Sequence, residues 1–297
     1  MNEKIKNSKK KESTINAYEK FEEIYPTIDL VNLSFLDVVN EIQNKVTSTQ
    51  PVTADSLKNC RGKWYELAFI MAAHQSILKQ TRNLYIVKMG TEKSIKFWEV
   101  YDRESRRKYE ELVNRLKECE QPIVIRCSTP DFVVVSQDII AKSTSSEILQ
   151  SQSPALQTIN ELYKILKNTC KPYQVKGFIS LKTSNRPDRR YPILLEANVT
   201  KFASKHIHTL EDRLRYDVIG KSNYSDKEVF CAPLMSTLPL TGNNISSVER
   251  AIDSSVNILL SSELDDYWTR YEEIIELDRE GKAVSPQTDF ANDDLDL

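Results

Sequence analysis

Thr129-Pro130-Asp131 runs straight into the apolar stretch FVVV, and Lys182 closes a second apolar stretch, QVKGFISL. The first segment puts a carboxylate where irregular chain enters a buried strand, and the second puts an ammonium where a strand ends. If the two strands are neighbours, the acid can hold Mg²⁺, a hard cation that prefers oxygen ligands. The lysine can then orient, or help deprotonate, a water directed at a phosphodiester, while the metal stabilises charge on the phosphate.

In the usual form of such a motif an acid stands two residues before the lysine, but here Ser180 occupies that place. The nearest replacement is Glu196, within PILLEANVTKFASKHI. That segment reads as a helix, with Val199, Phe202, Ala203 and Ile207 at three- and four-residue steps. Glu196 lies close to this apolar face, where a lone carboxylate is costly and demands a cation or strong donors. A buried salt bridge with an arginine would meet that demand as well as a metal would. Glu66 poses the same question: it shares a helix face with Ile70, Ala73 and Ile77, so it is either an internal partner for a cation or a catalytic group.

Arg186, Asp188 and Arg189 follow Lys182 closely. The planar fork of arginine fits O6 and N7 of guanine, and aspartate accepts from the cytosine N4 amine, so the group suits a G·C-rich duplex. Arg190, Lys201 and Lys205, with Arg61 and Lys63 upstream, are candidates for phosphate contacts, which add affinity without sequence information. A self-paired surface turn explains the composition of KTSNRPDRRYPILLEA but not its position beside the lysine.

These residues need a scaffold to meet. NLYIVKM (83–89) and SIKFWEVY (94–101), joined by GTEK, read as a hairpin. PIVIRC (122–127), DFVVVS (131–136), QVKGFISLK (174–182) and EVFCAPL (228–234) have the composition of buried strands. Helical periodicity marks 63–80, 103–118, 156–168, 247–260 and 262–277, the last opening with the capping pattern S-x-x-D. The Ser-rich pieces 141–157 and 236–247 read as loops. The sum is an α/β fold, a mixed central β-sheet flanked by helices on both sides. One domain is expected over 13–282, with the chemistry-bearing core at about 60–235, a basic flexible tail at 1–12 and an acidic flexible tail at 283–297.

Bulk properties exclude several classes. No apolar run of the 297 residues approaches the roughly 20 needed to span a bilayer, and the charged N-terminus lacks the apolar core of a secretory signal. Five scattered cysteines form neither a disulfide framework nor a zinc pattern, which suggests a reducing cytoplasm. His206 and His208, two apart, would splay on a helix and make a poor metal pair. The formal charge is −2, and without the four aspartates of the last nine residues it becomes +2, so any polyanion site must be a local cluster.

Taken together, TPDF (129–132), FISLKTSNRPDRR (178–190) and Glu196 resemble the type II restriction endonucleases that cut sequences with a CCGG core, the group of NgoMIV and SgrAI. These are variants of the PD-(D/E)xK nuclease fold in which the second acid is displaced onto the following helix, as Ser180 and Glu196 suggest here. CRGKWYELA (60–68) is similar to the family's N-terminal helix, whose glutamate matches Glu66. The likeness continues more weakly from STIN (13–16) through VKM (87–89) to about residue 260 and is faintest in the C-terminal helices.

The resemblance implies that Asp131 and Glu196 bind Mg²⁺, that Lys182 positions the attacking water and that Glu66 supports the site. It implies that Arg186, Asp188 and Arg189 read the core from the major groove, and that the cut falls before the first C and leaves 5′ overhangs. It further implies a homodimer or a homotetramer (a dimer of dimers) in a prokaryotic cytoplasm, beside a DNA methyltransferase that protects the same site. A palindromic target needs at least a two-fold assembly, because each subunit presents its site to one strand. Four other readings stay open: a relative reading an interrupted CCNGG core, a PD-(D/E)xK nuclease of DNA repair, a catalytically silent DNA-binding protein, and a soluble α/β protein whose charged turn is structural.

Overall fold

Short runs rich in Val, Ile, Leu and Phe pleat into a five-stranded sheet, as expected of side chains that pack well on a half-buried pleated surface. The computed structural model describes residues 15–28, 33–90, 96–120, 129–143, 156–183, 187–207, 214–220, 224–237 and 249–279. In chain order the elements are α1 (Ala17–Ile24), α2 (Phe35–Thr49), α3 (Ala54–Lys79), β1 (Leu84–Lys88), α4 (Arg103–Lys117), β2 (Phe132–Ser136), α5 (Gln137–Ser143), α6 (Leu156–Leu166), β3 (Val175–Lys182), α7 (Pro187–Ile207), β4 (Arg215–Gly220), α8 (Tyr224–Phe230), β5 (Ser254–Val256) and α9 (Glu263–Arg279). Ser34 and Asp37 form a reciprocal capping box at the start of α2, and Thr53 and Asp102 cap α3 and α4 by accepting from a backbone N–H in the first turn.

The strands lie in the order β1-β2-β3-β4-β5. The β1/β2 and β2/β3 pairs are antiparallel, while β3/β4 and β4/β5 are parallel. The sheet is therefore mixed, with helices on both faces, as the strand and helix signals imply. Registers pair Phe132 with Ile179 and Ile179 with Asp217, and pair Val133 with Phe178 and Phe178 with Tyr216. The first set faces α3 and α9: Phe69 packs on Phe132, and Tyr267 of α9 donates to Asp217 Oδ2 at 2.8 Å. The second set faces α7 and the 3-10 turn Phe97–Val100, through the Tyr216–Glu196 bond and the Phe97–Phe178 ring contact.

Several expected elements differ. Residues 97–101 do not return as a hairpin strand; Phe97–Val100 is a 3-10 turn that buries Phe97 and Val100 at a three-residue step, and the partner of β1 is β2. EVFCAPL is the end of helix α8 followed by a turn, because Phe230 and Leu234 are its fully buried side chains while Glu228 and Cys231 are exposed. The described part of 247–260 is not helical: Ala251 and Ile252 are buried in succession and Ser254–Val256 adds β5 to the sheet. PIVIRC lies outside the described residues, as do both expected tails. Four described cysteines, Cys60, Cys119, Cys170 and Cys231, are free thiols, and among the described residues no helix is long and apolar enough to cross a membrane.

His74, on α3, is fully buried and bonds the Ile86 carbonyl through Nε2 at 2.7 Å. Burial lowers its pKa from 6.5 to about 4, against the pull of that carbonyl. The unfolded chain therefore takes up a proton near 6.5 that the folded chain refuses until about 4, and stability present above 6.5 is lost as pH falls through that window. Urea unfolding at pH 7 and pH 4.5 should show a loss about 2–3 kcal/mol larger in the wild type than in His74→Phe. Equal losses in the two proteins would contradict the assignment.

Candidate active site

The antiparallel β1/β2/β3 arrangement and the parallel β3/β4 pair bring the end of β1, the start of β2 and the ends of β3 and β4 to one edge of the sheet. Asp131 sits there immediately before β2, and its carboxylate is held by β3. Oδ2 accepts from Leu181 N–H at 2.7 Å, from Lys182 Nζ at 3.0 Å and from Ser180 Oγ at 3.4 Å. The acid and the lysine are thus an ion pair across adjacent strand ends, each about one-fifth exposed.

Two further acids approach Lys182, one from each face of the sheet. Glu196 comes from α7, is 5 % exposed, and accepts a hydrogen bond from the Tyr216 hydroxyl at Oε1. Glu66 comes from α3 and pairs with Lys88, the buried last residue of β1, whose ammonium also lies 5.9 Å from the centre of the Phe132 ring. Burial works to lower the Lys182 pKa, but Asp131, Glu196 and Glu66 outweigh it and hold the group raised. An ammonium held this firmly acts as a donor and positive charge and does not abstract a proton at neutral pH. Burial also opposes the charge of Lys88, and Glu66, with Asp131 behind it, restores it. Burial first, and Glu196 second, push the Tyr216 phenol well above its ordinary range, so it stands as a neutral donor.

The carboxylate oxygens offered by Asp131 and Glu196 fit a hard divalent cation. Among the described residues no group of three or more His, Cys, Asp or Glu side chains could hold a metal by itself.

The other expected residues are distributed unevenly. Asp188 and Arg189 lie in the first turn of α7, the helix that carries Glu196, with side chains outside the description; Arg186 is outside the described residues. Arg190 pairs with the buried Asp226. Lys201 is 3 % exposed and turned inward, bonding Asp253 at 2.6 Å and the Arg250 carbonyl at 2.8 Å. Lys205 is partly exposed and pairs with Glu249 at 2.7 Å. Arg61 bonds the side chains of Gln43 and Asn40, and Lys63 lies over the Tyr18 ring. His206 stacks edge-on against Phe202 and takes no part in this cluster, and His208 is outside the described residues.

Sequence reading overlooked Lys88 and Tyr216. Lys88 had a legible signal, since it closes the apolar run LYIV as Lys182 closes its own run. Tyr216 had none, because its strand was not recognised.

Comparison with known proteins finds similarity to restriction endonucleases. A family model described as "Cfr10I/Bse634I restriction endonuclease" matches residues 2–276. The chain is similar to the type II restriction enzyme Cfr10I of Citrobacter freundii, 24% identical over 206 residues, which is 66% of this chain and 72% of that one. It is also similar in structure to the type IIF restriction endonuclease Bse634I with cognate DNA (TM-score 0.76, 22% identity, 87% of this chain and 92% of that chain). A second Bse634I structure gives a TM-score of 0.75 at 21% identity over the same shares.

Proposed function

The chain belongs to the Cfr10I/Bse634I restriction endonuclease family, type II site-specific deoxyribonucleases that cleave DNA, and from that premise we propose that it hydrolyses double-stranded DNA, with Mg²⁺, at a palindromic site containing a CCGG core. The cut falls before the first C and leaves 5′ overhangs, as in the NgoMIV and SgrAI group. The observation that carries this reading is the Asp131–Lys182 ion pair at a sheet edge, with Glu196 and Glu66 brought to it from the two faces, bonded to Tyr216 and Lys88.

In this reading Asp131 and Glu196 hold Mg²⁺, which supplies Lewis-acid stabilisation of the phosphate charge when bound. Lys182 orients the attacking water and adds a fixed positive charge beside the scissile phosphate. Glu66 completes the acidic cluster and is itself held by Lys88. Arg186, Asp188 and Arg189 read the G·C pairs, which is supported by their place between Lys182 and Glu196 in the chain and, for the last two, on α7 itself. Correct base contacts can then fix the lysine against the phosphate, because recognition and chemistry share one segment. Lys205, Arg61 and Lys63 are the phosphate-contact candidates whose side chains are not committed to buried partners, whereas Arg190 pairs with the buried Asp226 and Lys201 is turned into the protein. The working unit is a homodimer or a dimer of dimers, formed from a single domain spanning 13–282, in a prokaryotic cytoplasm with a methyltransferase guarding the same sequence.

The test is incubation of the purified protein with a plasmid of known sequence, with Mg²⁺ or with EDTA, followed by sequencing of the ends. Discrete Mg²⁺-dependent 5′-overhang ends at CCGG-containing sites are expected. Ends at CCNGG would move the reading to an interrupted core, and Mg²⁺-dependent cutting without a fixed sequence would remove the site specificity.

A further inference from the structure

We propose that Tyr216 is a positioning residue for cleavage, holding the displaced carboxylate of Glu196 in the orientation that a divalent cation requires. The proposal rests on the reading of Glu196 as a metal ligand. A glutamate on a helix has three side-chain torsions and sits one packing layer away from Asp131 at the entry to β2, so nothing in its own helix fixes its distance from that partner. The structure supplies the missing constraint from the sheet.

Tyr216 is fully buried in β4, with its ring on the sheet face covered by α7, and its hydroxyl donates to Glu196 Oε1. On the neighbouring strand and the same face lies Ser180, also fully buried, in the position where the usual motif has its acid. The Ser180 hydroxyl donates to Asp131 Oδ2 at 3.4 Å. Side chains of β3 and β4 thus hold the two carboxylates separately, Ser180 bonding Asp131 and Tyr216 bonding Glu196. Paired strand backbones hold Ser180 and Tyr216 in fixed register, with Phe178 against Tyr216 and Ser180 against Val218. A tyrosine on the sheet thus reaches the acid that stands on the helix. Groups that bond and orient ligands commonly matter nearly as much to affinity as the ligands themselves.

The experiment is titration of the full-length protein with Mn²⁺, read by the electron paramagnetic resonance of the free ion, for the wild type, Tyr216→Phe, Ser180→Ala and Glu196→Ala, with thermal unfolding of each. Tyr216→Phe removes one oxygen and keeps the ring; it is expected to weaken Mn²⁺ binding about 10-fold or more. The Mg²⁺ concentration for half-maximal plasmid cleavage should rise by a similar factor, with a smaller fall in the rate at saturating Mg²⁺. Ser180→Ala removes only the bond to Asp131 and should shift both by less; Tyr216→Met, which also lacks the hydroxyl, decides the matter if Tyr216→Phe loses its fold. Mn²⁺ affinity at the wild-type level in these folded variants, while Glu196→Ala abolishes it, overturns the positioning role alone. Wild-type affinity in Glu196→Ala, or no Mn²⁺ binding by the wild type, removes the metal-ligand reading and this proposal with it.

Discussion

Lys182→Ala is expected to lower plasmid cleavage on the order of 10³-fold, the scale seen when one preorganised charge-stabilising donor is removed from a reaction centre. The fold should survive, because Asp131 keeps its 2.7 Å bond from the Leu181 N–H and the main-chain pairing of β3 is untouched. What is lost is the ammonium around which Asp131, Glu196 and Glu66 are gathered. In the proposed reading those carboxylates still take up a divalent cation, so DNA binding in Ca²⁺ should fall far less than cleavage. Gel-shift affinity and single-turnover cleavage, measured side by side, separate the two effects. A variant that cuts within about 10-fold of the wild type would remove Lys182 from the chemistry.

Gly220→Ala should be comparably damaging by a different route. Gly220 ends β4 at φ +146, a backbone conformation that side-chain-bearing residues rarely adopt, and it pairs with Lys182. A Cβ there would stand 1.9 Å from the Lys182 carbonyl oxygen and 2.9 Å from its carbonyl carbon. The contact is with backbone, so no side chain can swing away to relieve it. Either β4 parts from β3 at the sheet edge or Lys182 shifts. We expect a stability loss of roughly 2–4 kcal/mol and, at temperatures where the variant is still folded, cleavage reduced about 10²-fold, the cost of a misplacement of about an ångström. Wild-type melting and wild-type cleavage together would show that the edge tolerates the added methyl.

The parts of this molecule legible from sequence are those where chemistry coincides with a change in polarity. Asp131 and Lys182 could be found because each interrupts an apolar run at its end, and those runs are β2 and β3. Glu196 and Glu66 stood out as acids against apolar helical stripes, and both helices are present, although α3 and α7 begin earlier than their apolar periods suggest. Strand β4 was invisible for the converse reason. Its alternating Arg215 and Asp217 look like surface charges, yet they are 7 % and 0 % exposed. They neutralise each other at 3.2 Å, with Tyr267 donating to the aspartate and the arginine lying over the Tyr271 ring. Only the fold reveals such internal compensation, since its aromatic half lies some fifty residues further along in α9. The false hairpin has a similar cause: SIKFWEVY is apolar enough for a strand, but its buried pair Phe97 and Val100 follows the step of a tight helical turn. β5 is three residues long and rich in buried serines, too short and too polar to register as sheet.

The dispersal of the cluster also bears on the safety of the cell that makes the protein. Glu66, Asp131, Lys182 and Glu196 meet only at the sheet edge, and no fragment short of the stretch from Glu66 to Glu196 carries all four. Even that stretch lacks β4, whose Gly220 pairs with Lys182 and whose Asp217 is held by a tyrosine near the C-terminal end of the described chain. A product terminated before β4 therefore lacks the strand that pairs with Lys182 in the proposed cutting centre, and such a half-made copy is expected to leave DNA uncut.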